Sequence, residues 1–215
     1  MKTIAVMNQK GGVGKTTLAI NLAAAAHMAG LRPLVIDLDE QASAFKWYQE
    51  READSALAGL VVMRSGKLSK AKFGEMGRGY DFVVIDCPPR LDDYSLSAAL
   101  AADACVVPVT PGPFDLWATG ESLQVLDKAD EIRAHHDLPA LLRLFVVNQA
   151  DARTGLAAEA QEVLREVGQL LGVVHQRVAF KRTANRGESV IGAADRAAEA
   201  EILAVYKNLQ GRMAA

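Results

Sequence analysis

Thr3-Ile4-Ala5-Val6-Met7 runs directly into Asn8-Gln9-Lys10-Gly11-Gly12-Val13-Gly14-Lys15-Thr16-Thr17, and a helical segment follows at once. A short apolar run predicts a strand. The glycines let the backbone turn tightly and aim successive N–H groups at one point, and the start of a helix adds partial positive charge there. Such a loop favours a polyphosphate. Lys15 follows the glycines where its ammonium reaches the β- and γ-phosphates, and Thr16 offers a hydroxyl to Mg²⁺. By the same geometry Thr17 falls near the α-phosphate. Gly11, Gly12, Val13, Gly14, Lys15, Thr16 and Thr17 are therefore the expected phosphate-binding set. A simple glycine turn before a helix is the alternative, which the conjunction of strand, glycines, Lys-Thr and helix disfavours.

Working outward, short β-rich runs alternate with longer helical segments, the signature of βαβ units and a mainly parallel sheet. Strands are expected at Thr3–Met7, Pro33–Asp37, Phe82–Asp86, Ala104–Val109 and Leu142–Asn148, with shorter ones at Leu60–Arg64 and Val173–Val178. Helices are expected near Lys15–Ala29, Ser43–Ala53, Leu68–Met76, Tyr94–Ala101, Leu116–Ala134, Gly155–Leu171 and Ala194–Arg212. The reading is one α/β domain over residues 1–215, doubly wound, with helices on both faces of the sheet. Half of the 215 residues are hydrophobic and 23% are charged, which excludes a disordered chain. No apolar stretch is long enough to span a bilayer, no signal-peptide pattern precedes the first strand, and a cytoplasmic setting is expected. The two cysteines, Cys87 and Cys105, sit in apolar surroundings and make no framework. A net charge of −2 excludes a uniformly basic nucleic-acid binder but not a local basic patch.

Three carboxylates end strands. Asp37 and Asp39 close the second, at the carboxyl edge where ligands bind in open α/β sheets, and carboxylates there order Mg²⁺ waters and orient an attacking water. Read alone, such a pair also serves as a helix cap or a solvated surface. Asp86 ends Phe82-Val83-Val84-Ile85-Asp86 before Cys87-Pro88-Pro89, with helix capping as its alternative.

The phosphate loop departs from the common pattern: Gln9 stands where a glycine is usual, and Lys10 precedes the glycine pair. This K-G-G-x-G-K-T arrangement resembles the deviant Walker A ATPases of the ParA/MinD family. The resemblance implies that Lys10 reaches across an ATP-bound homodimer to the partner's phosphates. It makes Asp39 the catalytic carboxylate, supported by Asp37, with Glu40 replacing the proline of the family's D-x-D-P-Q switch. It makes Asp86 the Walker B residue that, with Thr16 and Asp39, holds Mg²⁺. Val107–Asp115 is similar to the family's segment after the fourth long strand, Asn148 falls where the family reads the adenine amino group, and a loop around Val178–Phe180 closes over the base. Gly187-Glu188-Ser189-Val190 resembles the C-terminal G-x-S-V region of the short ParA-type subtype. That subtype lacks the N-terminal helix-turn-helix, which is not seen before this loop.

Cargo-specific residues should lie elsewhere. Arg177, Lys181, Arg182 and Arg186 fall in ten residues without an acid, and Arg196 follows nearby. Such a cluster binds phosphate backbone through counterion release without reading sequence. A solvated face or a loop serving the nucleotide is the alternative. A second basic run comprises Arg64, Lys67, Lys70 and Lys72. The C-terminal stripe Ile202, Val205, Tyr206, Leu209 and Met213 reads as core packing in preference to a membrane anchor, so no membrane partner is expected. The implied function is an ATP- and Mg²⁺-dependent ATPase that coats nucleoid DNA as a dimer and positions a cargo. A ParB-like adaptor would stimulate its slow hydrolysis, and Arg90 is the residue best placed to speed it in cis. A MinD-like membrane-positioning ATPase and a P-loop metabolic enzyme are the competing readings.

Overall fold

A computed structural model describes residues 1–52, 55–66, 69–89 and 93–214. Lys67 and Arg90 lie outside the described residues, as do the side chains of Lys70 and Trp117. The chain order is β1 (Lys2–Val6), α1 (Lys15–Met28), β2 (Pro33–Asp37), α2 (Ser43–Gln49), β3 (Val61–Arg64), α3 (Lys70–Met76), β4 (Phe82–Asp86), α4 (Asp93–Ala101), β5 (Ala104–Val109), α5 (Pro113–His135), β6 (Leu142–Ala150), α6 (Leu156–Val167), β7 (Gln169–His175), α7 (Val178–Ala184) and α8 (Arg196–Ala214). The seven strands form one sheet in the order β3-β2-β4-β1-β5-β6-β7, every pair parallel, as expected for a doubly wound α/β fold.

β1 is the middle strand. The chain builds β2, β3 and β4 on one side of it and β5, β6 and β7 on the other, so the loop after β1 opens at the topological switch point where ligands bind. The strand period of two divides the core between the faces. Ile4 and Val6 pack with Leu18, Leu22, Tyr206 and Leu209 under α1 and α8, while Ala5 and Met7 pack with Ala98, Leu126 and Leu164 under α4, α5 and α6. Helix α1 is buried on nearly all sides, and its run of four alanines, Ala23 to Ala26, lets it lie close to the sheet. The stripe Ile202, Val205, Tyr206, Leu209 and Met213 is buried in this core, with Tyr206 edge-on to Phe82. Among the described residues, no helix is long and apolar enough to cross a membrane.

Three expected elements differ most. Apolar residues at 163, 164, 167, 170 and 171 keep helical spacing, which predicted one helix to Leu171; instead α6 stops at Val167 and Gly168 leads into β7. A Cβ on Gly168 would meet the Phe145 ring and the Arg143 carbonyl, so the chain passes there too tightly for a side chain. Pairing with β6 then outweighs the helical pattern. Consequently Val178 begins helix α7 and does not end a strand. α5 starts three residues early, at Pro113, whose fixed φ suits a first helical position.

Gly187–Val190 is stapled between two helices. Trp47 Nε1 donates to the Glu188 carbonyl at 2.9 Å, while Asn21 Oδ1 accepts from Ser189 Oγ at 2.7 Å and from Val190 N at 3.0 Å. Gly187 has φ +62°, and a Cβ there would fall 2.4 Å from the backbone nitrogen of Arg51. Gly192 has φ +79° but open space around it. Gly187→Ala should therefore cost about 2–4 kcal/mol of stability, against about 1 kcal/mol for Gly192→Ala. Urea unfolding of both variants checks this; equal losses would mean that backbone conformation, not the contact with Arg51, requires the glycine.

Candidate nucleotide-binding site

Gly12 and Gly14 adopt φ +78° and +87°, left-handed values that glycine alone enters freely, and Gly14 is the N-cap of α1. No side chain caps α1 there, which suits an anion as partner for its first N–H groups. The Lys15 ammonium is buried within the turn and donates to the Lys10 carbonyl at 3.0 Å. Burial lowers its pKa, and Asp86 leads the nearby charges that oppose this. Thr16 and Thr17 follow in the first turn of α1, so the expected phosphate-binding residues form one continuous structure.

Strand register brings the carboxylates to this loop. Asp86 ends β4 opposite both Val6 of β1 and Asp37 of β2. Asp37 is fully buried and accepts the N–H groups of Asp39 and Phe45, each at 3.0 Å. Its pKa is raised, first by burial. Asp39 is half-buried and its Oδ1 accepts the Gln41 N–H at 2.9 Å, closing the turn that holds Ala42 at φ +52°. Asp86 is fully buried, and neither oxygen has a well-formed hydrogen bond. Burial pushes its carboxyl up to about 8, although the Thr16 hydroxyl and then the Lys15 ammonium favour the charged form.

An under-bonded buried carboxylate beside a hydroxyl fits a hydrated Mg²⁺, which takes few protein ligands and keeps waters and phosphate oxygens. Thr16, Asp86 and Asp39 are the residues that could hold the ion. When bound, it would neutralise phosphate charge and order water.

Lys10 has a partner within the chain: its ammonium forms an ion pair with Asp115 in the first turn of α5. Asp115 also accepts from Thr110 Oγ1 at 2.5 Å. Asn8, buried, donates to the Pro108 carbonyl at 2.8 Å and accepts the Lys10 N–H at 2.9 Å. Neither Asp115 nor Asn8 was assigned a role from sequence. An asparagine two residues before the signature lysine is an Asx-turn signal, but the partner 105 residues away from Lys10 has no local signal.

On the other side of Gly14 a cavity of about 510 Å³ is lined by Thr17, Leu18, Asn148, Val174, Phe180 and Lys181, among others. Asn148 is buried and donates from Nδ2 to the Val13 carbonyl at 2.6 Å. The expected base-covering loop at Val178–Phe180 is the first turn of α7, which walls this cavity.

The C-terminal cations divide into two kinds. Lys181, Arg182 and Arg186 are exposed on and just beyond α7. Arg177 instead binds Glu201 of α8 at 2.6 Å, beside His175, and Arg196 pairs with Glu199 at 2.8 Å. Arg64 and Lys72 of the second run are far apart in role: Lys72 pairs with Glu75 at 2.8 Å, and Arg64 faces the Glu40 carbonyl at 3.5 Å.

A carboxyl with a raised pKa binds its proton more tightly in the folded than in the unfolded protein, so its contribution to stability is lost as pH rises from about 4 towards 8. Asp86→Asn removes that titration. In metal-free, nucleotide-free buffer the variant should melt near the parent at pH 5 and several degrees above it at pH 8. It should also lose the further rise that ATP and Mg²⁺ give the parent. Thermal denaturation across this range checks both, and parallel curves would show that Asp86 is compensated in the folded state.

Residues 4–190 match the family model described as the CobQ/CobB/MinD/ParA nucleotide binding domain. The maintenance of carboxysome distribution protein A of Gloeobacter kilaueensis is 36% identical over 217 residues, covering 97% of this chain and 94% of its own. The chromosome-partitioning ATPase Soj of Thermus thermophilus is 33% identical over 192 residues, covering 77% and 76%. In three dimensions the ATP complex of Cyanothece McdA superposes with a TM-score of 0.81 at 16% identity, over 98% of this chain and 96% of that one. With this match and the fold it accompanies, the chain belongs to the ParA/MinD family of nucleotide-binding ATPases.

Proposed function

We propose that this ParA/MinD-like positioning ATPase works as an ATP-dependent homodimer that binds DNA without sequence preference and positions a cargo along it. The observation that carries the reading is the convergence of the left-handed glycine loop, buried Lys15 and the carboxylates Asp37, Asp39 and Asp86 at one sheet edge. ATP lies along the loop with its base in the adjoining cavity. Asp39 orients the attacking water, Asp37 holds Asp39 through its backbone, and Asp86 with Thr16 supports Mg²⁺. Lys10 leaves Asp115 to reach the partner's phosphates, so hydrolysis within one subunit is slow until a dimer assembles. An adaptor protein brought by the cargo then accelerates hydrolysis and resets the cycle.

Nucleic acid is favoured over membrane as the surface, because the apolar stripe of α8 is used in the core. The free cations Lys181, Arg182 and Arg186 supply the phosphate contacts. Relatives named for carboxysome distribution and for chromosome partitioning support a positioning role with either kind of cargo.

Binding of mixed-sequence duplex should require ATP and be lost in Lys15→Ala. The slope of log K against log salt should fall by about one for each of Lys181→Ala, Arg182→Ala and Arg186→Ala. Arg177→Ala should leave the slope nearly unchanged, because its charge is already paired with the largely buried Glu201. Gel shift over a salt series measures this. Absence of ATP-dependent binding at low salt would sink the DNA reading, and ATP-dependent binding to anionic vesicles would replace it.

A further inference from the structure

The pairing of β6 with β7 is interrupted between Asn148 and Ala150: Asn148 faces Val174 and Ala150 faces His175, leaving Gln149 as an extra residue. Its backbone is left-handed, φ +55°, which is uncommon for glutamine and typical of a bulge. In a regular strand the side chains of 148 and 149 would point to opposite faces. The bulge turns both towards the phosphate loop. Asn148 Nδ2 donates to the Val13 carbonyl at 2.6 Å, and Gln149 Nε2 donates to the adjacent Gly12 carbonyl at 2.7 Å. Because both loop partners are carbonyl oxygens, the amide nitrogens must face the loop. The approach is close: a Cβ on Gly14 would fall 2.5 Å from Asn148 Nδ2 and 3.3 Å from Gln149 Nε2.

We infer that Gln149 is a positioning residue for nucleotide binding, acting with Asn148 as a two-amide clamp that holds the Gly12–Val13 turn with its N–H groups turned to the phosphates. A peptide unit whose carbonyl is fixed on one side has its neighbouring N–H directions fixed as well, so the clamp prepares the anion site before the ligand arrives. Gln149 itself is exposed and outside the apolar core, so its part in overall stability is small. The bulge joins base and phosphate recognition: Asn148, set beside the base cavity, is tied to the same loop that binds the phosphates.

This inference rests on the nucleotide reading, and its test separates the two. Calorimetric titrations would compare ATP, inosine triphosphate and inorganic tripolyphosphate, each with Mg²⁺, on the parent, Gln149→Leu and Gln149→Gly. Both variants should bind all three probes about ten-fold more weakly, the loss of one preorganising hydrogen bond, and by the same factor whether or not a base is present. Hydrogen exchange at residues 12–15 should be faster in both variants, with the melting temperature little changed. Parent-like binding by Gln149→Leu, recovery in Gln149→Gly, or a loss confined to ATP would overturn the clamp while leaving the nucleotide reading in place. A parent chain that binds none of the probes would remove that reading, and the clamp with it.

Discussion

The rest of the site depends on the tight left-handed turn that links the central strand β1 to the buried helix α1. β1 is hydrogen-bonded on both sides, to β4 and β5, and α1 is packed against the sheet through Leu18, Leu22 and the alanines Ala23 to Ala26. Neither end of the turn can shift without disturbing the core. The loop is thereby a rigid reference point, and the neighbouring strands deliver Asp86, Asp37 and Asn148 to it at positions set by sheet register. This arrangement suits a phosphate site, in which fixed dipoles must point at charge without relaxing away from it.

That rigidity has an electrostatic consequence. Asp86 and Asp37 are both fully buried within one end of the sheet, and Lys15 is the cation set among them. Burial of an under-bonded carboxylate opposes its charged form. Lys15 opposes that penalty in part, and a bound divalent cation would oppose it further, so stability is surrendered at the end of the sheet that carries the phosphate loop. Lys10 and Asp115 make the complementary arrangement on the open side, where an exposed lysine is held by a largely buried acid.

Much of this was legible in the sequence for local reasons. Glycines at 12 and 14, the Lys-Thr pair and the strand-ending aspartates carry meaning through neighbours a few residues away, so spacing sufficed to locate the loop and the acids at the strand ends. Periodicity failed where two structures share one pattern. Leu170 and Leu171 continue the helical spacing of α6, and only the place beside β6 made them a strand. Charge also read differently in three dimensions, since Arg177 looks free in the chain but meets Glu201 of α8.

The sequence by itself determined the alternation of strands and helices, the parallel sheet, the phosphate loop and the acids at the strand ends, because hydrophobic period and backbone chemistry act over short distances. The tertiary structure decided which strands are the edges, that Asp115 holds Lys10, that Glu201 ties down Arg177, and that Gln149 turns back to the loop through a bulge. These outcomes depend on residues brought together from more than twenty positions apart, and on a left-handed backbone at Gln149 that no local preference for glutamine would select.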